Sequence, residues 1–230
     1  MKMVNVFNRL LVIILFLSIV TVAAAAKKQE PPQVTEDGLH LVPDSKLALV
    51  YVDPEADLAS YSKVHLVEAT VAFKKNWARD QRRDAGRSAS RRISDKDIEK
   101  IKTSLAEEFY TVFKTELEEN GYEFSDIAAD DVMIVRPAII NLDVTAPDLP
   151  TAGRSRSYTT SAGEMTLYLE LLDSVTGDIF AKALDRRVDN GRFYTWTSSV
   201  SNRAAARRIL KGWATILRKA LDEARQGPAD

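Results

Sequence analysis

Cysteine is absent from all 230 residues, and that absence closes several routes at once. Without a thiol there is no disulfide framework, no thiolate zinc site and no acceptor for a lipid anchor, which is attached to a cysteine directly after the cleavage point. The fold must therefore be held by its core. Glycine is sparse, with nine residues, and never falls in a G-x-G-x-x-G or G-K-[ST] arrangement, so neither a phosphate cradle nor a nucleotide cofactor is expected. The two histidines, His40 and His65, lie far apart in sequence, and a zinc site would need carboxylates for most of its ligands. The formal net charge is −1, which points to neither a nucleic-acid binder nor a polyanion.

What is present begins with an address. Lys2 and Arg9 precede the apolar run Leu10 to Val20, Ala23 to Ala26 follow, and charge resumes at Lys27-Lys28-Gln29-Glu30. This is the pattern of a signal peptide, residues 1–26, with cleavage expected after Ala26 and export to the periplasm without lipidation. The alternative is an uncleaved amino-terminal anchor, since a spanning helix needs roughly 17 to 25 residues; membrane association is expected only in that case. Residues 27–36, rich in charge and proline, read as a flexible leader, residues 37–226 as a single domain and residues 227–230 as a disordered tail.

Within the domain the spacing predicts alternating elements. A strand is expected from Lys63 to Phe73, after the Asp53-Pro54 turn. The basic stretch Lys74 to Arg92 reads as a long surface loop or a frayed helix. Ser94 with Asp97 resembles a capping box, and Ile98, Ile101, Leu105, Phe109, Val112, Phe113 and Leu117 then recur at helical spacing until Asn120-Gly121 ends the run. A strand follows from Val132 to Thr145, where Pro137 calls for an edge or a bulge because proline cannot donate to a ladder. Two more strands, Glu164 to Leu172 and Asp178 to Val188, turn at Gly177, and a second amphipathic helix spans Ser201 to Arg225. The class is α/β, α+β-like, in the order β-α-β-β-β-α: a mixed sheet of about four strands with two helices on one face.

The ordered segments "DGLHLVPDSKLALVYVDPEADLASYSKVHLVEATVAFKKNWARD", "LLDSVTGDIFAKALDRR" and "GWATILRKALDEA" resemble the exported bacterial proteins of domain-of-unknown-function family 3313, over roughly Asp37 to Ala224. The resemblance implies an envelope location and no particular reaction. Many members look like lipoproteins; this chain departs from them in lacking the acceptor cysteine.

Chemistry is hard to place. No G-x-S-x-G elbow is present, Asp130-Asp131 read as turn residues, and His65 reads as an ordinary strand histidine. No catalytic, metal or cofactor residue is assigned. The most distinctive feature is the arginine-rich stretch carrying Arg79, Arg82, Arg83, Arg87, Arg91 and Arg92. Guanidinium forks grip carboxylate or phosphate, so the stretch is a candidate surface for an anionic envelope component or an envelope protein; its plain alternative is a solvated loop paired with the acidic patch Glu116 to Asp131. Arg203, Arg207, Arg208 and Lys211, near the start of the last helix, form a second candidate surface, since cations there oppose the helix dipole. The aromatic segment 191–199 reads as core, with sugar stacking as the alternative. The leading reading is a non-enzymatic binding or accessory domain with no nucleic-acid partner. A structural subunit of an envelope assembly is the alternative and an envelope hydrolase the lesser one, and no oligomeric state follows from the sequence.

Overall fold

A computed structural model describes residues 30–85, 92–145, 158–159, 163–189, 195–196 and 199–226. Residues 1–31 fall outside the unit formed by residues 32–230; only Glu30 and Pro31 of them are described, and the fold below is that of the unit 32–230. Its strands are β1 (His40–Leu41), β2 (Leu49–Val52), β3 (Lys63–Leu66), β4 (Thr70–Phe73), β5 (Glu123–Phe124), β6 (Val132–Val144), β7 (Tyr158–Thr159), β8 (Gly163–Asp173), β9 (Ile179–Val188) and β10 (Thr195–Trp196). The helices are α1 (Trp77–Asp84), α2 (Asp95–Glu118) and α3 (Ser199–Gln226).

An eight-stranded mixed sheet runs in the order β1, β2, β9, β8, β6, β3, β5, with β4 also paired to β6. The expected parallel unit is there: β3 and β4 pair parallel with β6, and α2 lies between them in sequence. So is the antiparallel succession β6, β8, β9. The class is as expected, but the sheet holds eight strands rather than about four. Strands of two to four residues at the edges account for most of the excess. The rest comes from the single strand expected over Lys63 to Phe73, which is broken into β3 and β4.

Pro137 explains the break. Val67 N–H donates to the Val135 carbonyl at 3.0 Å, so the backbone of Val135 faces the β3 side, and by alternation that of Pro137 does too. Leu66 pairs with Val135 and Thr70 with Ala138; Val67, Glu68 and Ala69 thus face only Arg136 and Pro137. The extra residue bulges out where proline offers no donor. A second bulge falls at Asn141, in the left-handed region at φ 52, where β6 gains a residue over both β4 and β8.

Alternate residues of β6 and β8, Met133, Val135, Ile139, Met165, Leu167, Leu169 and Leu171, pack under α2 and α3 with Phe109, Phe113, Leu210 and Trp213. Phe109 and Phe113 stack with ring centroids 3.9 Å apart, and truncating such a buried ring costs about 3 to 5 kcal/mol. Glu108 pairs with Arg207 and Glu116 with Arg218, so α2 and α3 run in the same direction. The capping box forms as expected, Ser94 Oγ accepting from Asp97 N–H and Asp97 Oδ2 accepting from Ser94 N–H. Asp185, buried on the helix face, accepts from Trp213 Nε1 at 2.7 Å and Ala48 N–H at 3.0 Å and pairs with Arg187. That one carboxylate ties α3, β9 and the approach to β2 together.

Candidate functional site

The arginine-rich stretch carries a helix where a loop or frayed helix was expected. Trp77 is the reason: it is 4% exposed, stacks on Phe73 with centroids 4.0 Å apart and donates from Nε1 to the Val144 carbonyl at 3.1 Å. One buried indole thereby pins the start of α1 to the far end of β6. Arg79 and Arg83 point outward, their side chains 70% and 72% exposed, with Asp80 and Asp84 as neighbours at 3.4 to 3.8 Å. Exposed pairs of this kind contribute little to stability. Arg82 turns back, donating from Nε to the Ile93 carbonyl at 3.0 Å and meeting the Asp95 carboxylate. Arg92 is exposed; Arg87 and Arg91 lie outside the described residues.

The second set is held by partners from other elements. Arg207 meets Glu108, Arg203 approaches the same carboxylate at 4.0 Å, and Arg208 donates to Asp189 at 2.7 Å. These carboxylates offset the unfavourable position of cations near the start of α3. Lys211 is exposed. Of the aromatic segment 191–199, only the β10 backbone paired with β7, and Ser199 at the start of α3, fall within the described residues.

A chain of contacts runs from the first set to Arg208 of the second along one end of the sheet. Trp77 bonds to Val144, Val144 pairs with Gly163, Asp189 N–H donates to the Gly163 carbonyl at 3.0 Å, and Arg208 bonds to Asp189. The stretch 74–85 alone carries five cations against two carboxylates. Beside it lies a shallow groove of about 320 Å³ between β4, α1 and α2, lined by Phe73, Trp77 and Ile98 with Lys74, Arg79 and Lys102; Lys74 pairs with Asp143 at 3.1 Å and Lys102 with Glu99 at 2.8 Å.

The opposite end of the sheet carries the reverse charge. Segments 53–62, 123–131 and 173–178 contain nine carboxylates and no lysine, arginine or histidine. They are stitched together: Tyr61 Oη donates to Asp173 at 2.6 Å, Ser62 Oγ to Asp131 at 2.9 Å, and Ser174 Oγ to the Ala129 carbonyl at 2.9 Å. The Tyr61 hydroxyl holds the Asp173 carboxyl below the usual carboxylate range, and Lys63 does the same for Asp131. Burial and the Asp173 contact push the Tyr61 hydroxyl well above its ordinary value. Residues 123–131 of the acidic patch thus sit at the far end from α1. The patch does not neutralise the arginines of α1, whose carboxylate neighbours are Asp80, Asp84 and Asp95.

At the acidic end two apolar side chains stand in solvent, Ile127 at 78% exposure and Val175 at 57%. They sit on the two loops that Ser174 joins. Neither stands out in the sequence, because each is a lone apolar residue in a turn. His65, in β3, has Nδ1 at 3.2 Å from the Ser125 carbonyl and 3.4 Å from Asp126. No group of three or more histidines or carboxylates able to hold a metal ion occurs among the described residues, and no helix among them is long and apolar enough to cross a membrane.

Among solved structures the chain is similar to the PelC dodecamer from Paraburkholderia phytofirmans, with 12% identity, 70% of this chain and 93% of that chain covered and a TM-score of 0.32. It is also similar to protein XCC0632 from Xanthomonas campestris, of family DUF330, at 14% identity, 76% and 91% coverage and a TM-score of 0.37. A DUF4136 family protein from Bacteroides thetaiotaomicron is similar at 11% identity, 75% and 95% coverage and a TM-score of 0.35. Comparison with curated proteins gives no match. The model of the family described as protein of unknown function (DUF3313) matches residues 37–217, and the chain belongs to that family.

Proposed function

We propose that this chain is an exported, non-enzymatic accessory domain of the bacterial envelope that binds an anionic envelope component or an acidic protein partner through the basic end of its sheet. One observation carries the reading: cations from two distant stretches of sequence, Arg79 to Arg83 and Arg208, lie at the end of the sheet opposite the clustered carboxylates. A surface with an excess of one sign attracts the opposite sign over about 10 Å at 0.1 M salt and orients its partner before contact. Arg79 and Arg83 are the residues of choice, being exposed and held only by their helix neighbours. Export is read from the amino-terminal pattern in residues 1–26, and the intact mass of the exported protein checks it: a species beginning at Lys27 is expected, and one beginning earlier revives the anchor.

The test is co-sedimentation with purified envelope fragments. Replacing Arg79 and Arg83 by glutamate reverses two exposed charges without touching the core, and binding is expected to weaken by about tenfold or more. A double variant that sediments as strongly as the parent sinks the reading. The alternative, a structural subunit of an envelope assembly, draws support from the exposed Ile127 and Val175 at the other end of the sheet.

A further inference from the structure

We infer that the protein associates head to tail with a second copy of itself, the acidic end of one chain seating Ile127 and Val175 against the groove at the basic end of the next. This rests on the basic end being an interaction surface and names its partner. The two ends are complementary in charge and in form. One offers two apolar side chains, 78% and 57% exposed, on loops that also carry Asp126, Asp130 and Asp178. The other offers a groove lined by Phe73, Trp77 and Ile98 together with Lys74, Arg79 and Lys102, cations whose present neighbours, Asp143, Asp80 and Glu99, form partly exposed pairs that a partner can displace. An apolar anchor entering a pocket, with charges paired around it, is the arrangement that concentrates binding energy in a protein interface.

The same charges select the symmetry. A two-fold contact through the acidic end would bring nine carboxylates against nine, only Asp131 having Lys63 beside it, and one through the basic end would oppose arginine to arginine; like charges facing each other across an interface are unfavourable. Only the heterologous contact pairs unlike ends. Such a contact leaves one unused surface at each end of every oligomer, so it repeats until it closes into a ring or runs on as a filament.

Sedimentation of the purified protein over a concentration series tests this. The wild type is expected to grow in mass with concentration at low salt and to fall back towards monomer at about 0.5 M salt. Ile127→Asp, at an exposed position, and the pair Arg79→Glu with Arg83→Glu are each expected to be monomeric. Their equimolar mixture is expected to give a one-to-one dimer and nothing larger, because each variant supplies the end that the other has lost. A wild type that stays monomeric throughout, an assembly indifferent to Ile127→Asp, or a mixture that forms no dimer overturns the inference. Ile127→Asp keeps every cation of the basic end, so its envelope sedimentation reports on the proposed function separately. Envelope binding retained without self-association leaves that function standing.

Discussion

Tyr61 and Asp173 are 112 positions apart in sequence, yet their 2.6 Å hydrogen bond closes the acidic end of the sheet. Asp173 also accepts from the backbone of Val175 and Thr176, so its charged form is favoured in the folded state and its folded pKa lies below the unfolded value. The resulting stability is full above the ordinary carboxylate range, near pH 4, and is lost as pH falls through the depressed folded value. For Tyr61 the sign is opposite: its raised pKa gives stability that is full below about pH 10 and lost as pH rises through the folded value. Tyr61→Phe is expected to cost about 1 kcal/mol at neutral pH and to make the acid decline shallower. Urea unfolding from about pH 2 to 6 measures both; a decline as steep as the parent's shows that the bond does not set Asp173. Asp97 and Asp131, held low by Ser94 and Lys63, keep part of the slope in the variant. At this scale only short-range partners are legible in the sequence. Ser94 and Asp97 sit three positions apart and announce a cap, whereas Tyr61 and Asp173 carry no mutual signal.

Among the elements, length decides what can be read in advance. α2, β6, β8, β9 and α3 are long enough for a period of 3.6 or 2 to repeat, and all follow from the sequence to within a few residues. β1, β2 and β5, of two to four residues, are too short to show a period, and each exists because a longer strand beside it offers hydrogen bonds. α1 is only half legible for another reason: Trp77 alone of its residues is buried, so it has no apolar stripe, and its arginines read as a loop or a frayed helix. The gap between β3 and β4 shifts the inward apolar positions from Val64 and Leu66 to Ala69, Val71 and Phe73, a change of phase that, with Pro137, is its sign in the sequence. The bulge at the end of β6 imposes a second demand. Gly163 has φ 141, and an added Cβ would lie 1.9 Å from the Asp143 carbonyl oxygen. Gly163→Ala is expected to destabilise the fold by about 3 kcal/mol, from forced backbone strain and a displaced β6 terminus. Thermal unfolding checks it, and a melting temperature unchanged from the parent would show that the bulge yields at no cost.

For the folded unit as a whole, cohesion and attachment rest on different forces. The core is apolar and continuous from β3 through α3, and the ion pairs over it are partly exposed, so unfolding stability is expected to shift by less than about 1 kcal/mol between 0.05 and 0.5 M salt. Attachment through the charged ends is expected to weaken strongly over the same range. Chemical unfolding and envelope sedimentation across one salt series separate the two; a fold that loses stability in step with binding would show that the end charges hold the domain together.

Two parallel helices usually set like ends side by side. α2 and α3 do so here, cross-linked by Glu108 with Arg207 and Glu116 with Arg218. Each helix begins near the arginines and finishes near the carboxylates, and carries roughly half a positive charge at its start and half a negative charge at its finish. The peptide dipoles therefore add to the side-chain charges instead of opposing them. The folded unit is a permanent electric dipole along its strands, and near an anionic layer it is expected to turn arginines first while still at a distance, so that the binding proposed above would begin as rotation.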